Sequence, residues 1–349
     1  MVRSSDIIRK DEELKQRKTE SHSDFLRLSD IVKLSGEAPP PAEQNVQPAK
    51  MDVDAVYEVY LKTHHYLRDI RGNVQNRKPF EMDPALDLIN QIVNSPEMIT
   101  TIHPMTLDYG KDEDFYLFQP IHVMIYALKT GMRMGYTAAQ LSELGLSSLF
   151  QNIGMFLIPD DVISKKGNLT GDEIELIRKH PAMGADILQP FKQKHPWLIE
   201  SVHQHHKRES GQGYPRGLKG DEIIEYAKII GICDSYEAMT HNRPYKQTSI
   251  QFTAIKELIE SREGLFSSQI QKVFLEELSL YPVGSYVKLN NGAIGRVIET
   301  NKLHPFKPVI KLLFDGNGER AGNGSVIHLS ENNVLNITQV LSAKDLPAT

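Results

Sequence analysis

A chain of 349 residues with one cysteine, Cys233, cannot form an internal disulfide, and its cysteine usage fits a reducing compartment. No apolar run approaches the about 18 residues that a membrane span needs. The opening Met1-Val2-Arg3-Ser4-Ser5-Asp6 lacks the apolar stretch of a secretory signal. Nor is there a surplus of positive charge: 40 basic residues stand against 45 acidic ones, a net charge of −5. That balance excludes a binder of nucleic-acid polymers driven by a general positive field. These absences leave a soluble cytoplasmic protein as the expectation, and hydrophobic residues at 40% are enough for a globular core.

What is present divides along the chain. Residues 1–50 mix charges of both signs, carry Pro39-Pro40-Pro41 and hold few aromatics, the composition of a mobile arm. Residues 51–110 read as a helical lead-in, with Val56, Tyr57, Tyr60 and Leu61 at three-to-four spacing and Leu86 to Val93 repeating it. Residues 111–278 continue helix after helix. Thr170-Gly171-Asp172-Glu173 is a capping box, and Thr137 predicts the start of another helix that Gly154 would end. From 279 to 349 the texture turns to strands. Ser285–Leu289 and Ala293–Ile298 flank Asn290-Asn291-Gly292, a hairpin signal, and Val309–Phe314 and Val326–Leu329 predict two more strands. The fold class expected is mainly α, a helical bundle with a small C-terminal β-barrel-like module.

The chemistry lies in the histidines. Of 13, five fall between positions 180 and 206. On a helix, Leu198, Val202, His205 and His206 share one face while His203 points elsewhere. His180 lies three residues after Ile177 on another inward stripe. His122 sits among Ile121, Met124 and Ile125, and Asp234 follows the apolar run Ile229-Ile230-Gly231-Ile232-Cys233, a costly place for a carboxylate without a partner. A lone inward histidine is more often a satisfied core residue than a ligand. Four of them with an aspartate can share one metal ion, because each needs a polar partner. Spacing alone leaves both readings open.

The stretch Gly211-Gln212-Gly213-Tyr214-Pro215, preceded by His205-His206 and followed by Asp234 and Arg243-Pro244-Tyr245, resembles the HD-GYP signature. The resemblance runs from about Tyr116 to Leu275. It implies an HD-superfamily helical bundle, a family of metal-dependent cyclic di-GMP phosphodiesterases, and metal ligands at His122, His180, His205, His206 and Asp234. It also implies phosphate contacts at Arg243 and Lys246, and a cleft lining or a docking point for a diguanylate cyclase at Tyr214. Arg243-Pro244-Tyr245 and the glycine loop have a plainer reading, as turns that hold the fold.

The same resemblance marks departures. The family's name-giving His-Asp pair falls at Gln151-Asn152, and a phosphate-touching lysine falls at Met155. Glutamates of some members fall at Phe118 and Lys207. A carboxylate can bridge two hard cations where a neutral amide cannot. The expectation is therefore recognition without hydrolysis: a cyclic di-GMP receptor or a scaffold for a signalling or assembly protein, with no catalytic residues. No resident cofactor is expected, or else a single divalent metal (Fe, Mn or Zn) on His180, His205 and His206. The alternatives are an active phosphodiesterase with an altered metal site and a structural component of a larger bacterial assembly.

Overall fold

The computed structural model describes residues 53–105, 115–165, 167–240, 254–255, 257–259, 264–278, 281, 284–301, 304, 306–322, 325–332, 334–341 and 346. The arm expected at 1–50 and the phosphate contacts expected at Arg243 and Lys246 lie outside these residues. The described helices between Val53 and Thr240 belong to one compact unit and the described strands to a second.

Among the described residues, three helices come first in this unit: α1 (Val53–Gln75), α2 (Asp83–Val93) and α3 (Pro96–Met105). Aspartate and proline start α2, where the proline's missing N–H costs nothing and the carboxylate meets the positive end of the helix dipole. Then come α4 (Phe115–Arg133) and α5 (Ala138–Phe150). Thr137 caps α5 through a reciprocal box with Gln140, as the sequence predicts. Short helices follow: α6 (Asp160–Ile163), α7 (Gly171–Ile177), α8 (His180–Ile187) and α9 (Pro196–Gln204), then the longer α10 (Glu225–Thr240). Thr170 and Glu173 box the start of α7.

α4 packs on α5 and on α10, and α9 on α5, α8 and α10. Ile121, Met124, Leu128, Leu146, Leu149, Leu198 and Val202 meet in one continuous core with Ile89 and Ile92 of α2. Burying such side chains stabilises by about 1.5–3 kcal/mol each. α5 stops at Phe150, earlier than Gly154; the glycine instead sits in a 3₁₀ turn (Ile153–Leu157) against α8, where a Cβ would come within 2.0 Å of the His180 carbonyl oxygen.

A further helix, α11 (Ser268–Glu277), precedes the sheet in sequence. The sheet is antiparallel, with β1 (Tyr286–Leu289), β2 (Ile294–Glu299), β3 (Val309–Phe314), β4 (Val326–His328) and β5 (Ile337–Leu341) in the order β4-β3-β2-β1-β5. The Asn290-Asn291-Gly292 hairpin joins β1 to β2 in the register Val287 opposite Gly295. The barrel expected from sequence is corrected to an open sheet. A fifth strand, absent from the sequence-based expectation, adds beside β1, and the two edges β4 and β5 do not pair. Closure requires every edge to be hydrogen-bonded, and the three-residue β4 offers too little backbone.

Candidate metal centre and its surroundings

His180 opens α8, and His205 and His206 follow the last turn of α9. Their ligand nitrogens lie within 4.8 Å of one another. His180 Nδ1 is 2.8 Å from the Ile177 carbonyl, and His205 Nδ1 is 2.7 Å from the Val202 carbonyl. A carbonyl only accepts, so both Nδ1 atoms carry the proton and both Nε2 atoms present lone pairs. Those Nε2 atoms face each other at 3.1 Å. Two lone pairs cannot hydrogen-bond. A shared proton would resolve the clash, but burial lowers the His180 pKa to about 4 and drives those of His205 and His206 down as well. At neutral pH the uncharged imidazoles of His180 and His205 therefore face each other with no proton between their Nε2 atoms, and His206 lies beside them. A cation satisfies this arrangement, and metal-bound histidines characteristically donate their other N–H to a backbone carbonyl. The donor set fits a divalent metal ion.

The Gly-Tyr-Pro loop covers one side. Tyr214 stacks on His206, with ring centres 4.5 Å apart and planes 19° apart. Tyr214 N–H donates to the His206 carbonyl, and Gly213 is obligatory because a Cβ there would lie 2.2 Å from that same oxygen. Burial, with Asp234 nearby, pushes the Tyr214 hydroxyl well above the usual phenol range, so it stays protonated. Lys207 points away from the imidazoles: its ammonium donates to the Pro215 carbonyl at 2.5 Å and ties the loop down. Arg208 bonds the carbonyls of His205 and Lys207 and reaches the Ser235 hydroxyl.

On the other side stands Asp234 of α10, its Oδ2 4.0 Å from His206 Nε2. Its Oδ1 accepts from the Gln119 side chain at 2.5 Å, and Gln119 Oε1 accepts from Asn152 at 2.9 Å. Burial, with Glu237 adding repulsion, raises the Asp234 carboxyl to about 7. Sequence reasoning missed Gln119. Its signal is a polar residue on the inward face of α4, three positions before His122. Gln151 makes no side-chain hydrogen bond to the histidines. It is fully buried, and neither amide atom has a hydrogen-bond partner among the described residues. Met155 packs with Ile158, Val162 and Ile177 in a small apolar cluster.

His122 stands apart from the triad. Its Nε2 lies 2.7 Å from the Tyr60 hydroxyl and its Nδ1 3.2 Å from Glu237 Oε1, all fully buried. Phe118 stacks on His64 at 4.0 Å. Of the five expected ligands, three histidines gather with Asp234 at their edge, while His122 is bonded to Tyr60 and Glu237. His203 is not among the gathered imidazoles.

Residues 100–269 match the family described as HD domain, and residues 286–349 match a KOW domain associated with HD domain. A cyclic di-GMP phosphodiesterase of Pseudomonas aeruginosa is 34% identical over 234 residues, 66% of this chain and 55% of that protein. One from Borreliella burgdorferi is 26% identical over 218 residues, 62% of this chain and 55% of that protein. The chain thus spans about half the length of these curated relatives. A solved HDG"Y"P protein from Bdellovibrio bacteriovorus shares the fold, with a TM-score of 0.53 at 13% identity over 71% of this chain and 77% of that one. No described helix is long and apolar enough to cross a membrane. The helices that bring these imidazoles together lie within the segment that matches an HD domain, the fold there is mainly helical, and the strands fall within the segment that matches the HD-associated KOW domain.

Proposed function

We propose that the chain binds one divalent metal ion (Fe, Mn or Zn) on His180, His205 and His206 and acts as a metal-dependent phosphodiesterase on cyclic di-GMP. The observation that carries this reading is the pair of Nε2 atoms facing at 3.1 Å with both Nδ1 protons committed to backbone carbonyls. A bound ion would supply a Lewis acid for a phosphoryl oxygen and a water of lowered pKa. The rest falls to the chain. The Tyr214 ring, braced by Lys207 and the Gly213 approach, fixes the orientation of His206 and forms a wall beside it. Arg243 and Lys246, in this reading, hold the phosphates as guanidinium and ammonium partners. The substrate class is supported by the names of the relatives.

The test is to incubate the purified chain with cyclic di-GMP and added iron or manganese. The expected result is a linear dinucleotide that disappears when a chelator is added. No product over hours, in a protein loaded with metal, would contradict hydrolysis.

One observation favours the receptor reading as the second. Gln151 and Asn152 are neutral at the positions where the resemblance calls for a histidine and a bridging carboxylate, and Asn152 is engaged with Gln119. In that case calorimetry finds cyclic di-GMP binding without product, weakened in an Arg243→Ala, Lys246→Ala variant.

A further inference from the structure

We propose that Gln119 is a positioning residue that aims Asp234 at the histidine triad, and that Asn152 sets the direction of that aim. This rests on the triad holding a metal. Three side chains from three elements form a polarised relay. Asn152 donates from its amide nitrogen to Gln119 Oε1, and Gln119 donates from its own nitrogen to Asp234 Oδ1. Only one orientation of Gln119 satisfies both neighbours. Turned over, it would set nitrogen against nitrogen and oxygen against carboxylate.

With Oδ1 bonded to Gln119, Asp234 turns Oδ2 toward His206 Nε2 at 4.0 Å, at the edge of the three imidazoles whose ligand nitrogens lie within 4.8 Å of one another. The relay thus holds an oxygen donor of fixed orientation at the edge of the three-nitrogen site, where a bound ion can draw it in. It also gives the amide at position 152 a task. A carboxylate there would confront Gln119 Oε1; Gln119 could answer only by rotating, which would release Asp234. Gln119 and Asn152 therefore act as a pair, and the pair commits the site to a single ion.

The experiment measures Zn²⁺ and Mn²⁺ affinity of the full chain by competition with a chromophoric chelator, alongside metal content by elemental analysis. Wild type is expected to hold one ion per chain. Gln119→Met should weaken affinity about 10- to 100-fold, the usual range for a group that orients a ligand, while content at saturation stays at one. Asp234→Asn should weaken it comparably, and adding Gln119→Met to Asp234→Asn should cost nothing more, because the glutamine acts through the aspartate. Circular dichroism checks the fold. Should Gln119→Met fold poorly, Asn152→Ala, which alters a less buried residue, tests the same relay and should show a smaller loss in the same direction. Wild-type affinity in the single variants, or losses that add in the double variant, overturns the inference. A wild-type chain that takes up no metal overturns instead the metal reading on which it rests, and the two failures are told apart by that first measurement.

Discussion

Two sets of buried histidines sit in the same helical unit and solve the same problem differently. His122 has side-chain partners on both nitrogens, the Tyr60 hydroxyl and the Glu237 carboxylate. His180 and His205 each have a backbone carbonyl on Nδ1 and each other on Nε2, where neither can donate. Burial is equally deep in both sets. The difference teaches that burial alone does not mark a candidate metal centre; what sets this one apart is a convergence of lone pairs with no donor between them among the described residues.

That comparison is open to attack, the largest effect first. His180→Ala should lower metal affinity by more than about 100-fold, since it removes a direct ligand; retention of affinity would place the ion elsewhere. His122→Ala should leave metal content unchanged yet destabilise the chain by about 3–5 kcal/mol, because Glu237 loses its imidazole in a dry site. Urea denaturation reads this. Loss of metal in that variant would merge the two sets and break the contrast.

A third effect concerns Gln151, whose buried amide has no partner among the described residues. Gln151→Met should raise stability by about 1–3 kcal/mol, the cost of an unsatisfied buried polar group. A lower melting temperature would mean that the amide is bonded in solution.

The smallest effect is a pH dependence. Burial and Glu237 raise the Asp234 carboxyl to about 7, so below that pH the metal-free site carries a proton that an ion must displace. Metal affinity should fall as pH drops below about 7, with a proton released on binding, and Asp234→Asn should flatten that dependence. His180 adds nothing until the pH nears about 4, because burial keeps it neutral down to that point.

Much of this was legible in the sequence, for local reasons. The capping boxes at Thr137 and Thr170 name their own helices, since cap and partner lie three residues apart. The Asn-Gly turn sets the β1–β2 hairpin in the same way, and the inward stripe Leu198, Val202, His205 holds. What escaped depends on distant contacts. The bonds of His122 to Tyr60, 62 positions earlier, and to Glu237, 115 positions later, have no local signal. Gln119 reads as a stray polar residue until Asp234, also 115 positions away, reaches its amide. Lys207 reads as a cation beside the site, yet its flexible stem carries the charge to the Pro215 carbonyl. The barrel failed because nothing local in β4 and β5 says whether two edges will meet.

The most direct test of the central claim is the metal stoichiometry of the purified full chain after loading with iron, manganese or zinc and removal of excess ion. One ion per chain, lost in His205→Ala and kept in His122→Ala, is the result expected from three imidazoles converging beside Asp234. Two ions per chain, or one that survives His205→Ala, would contradict it.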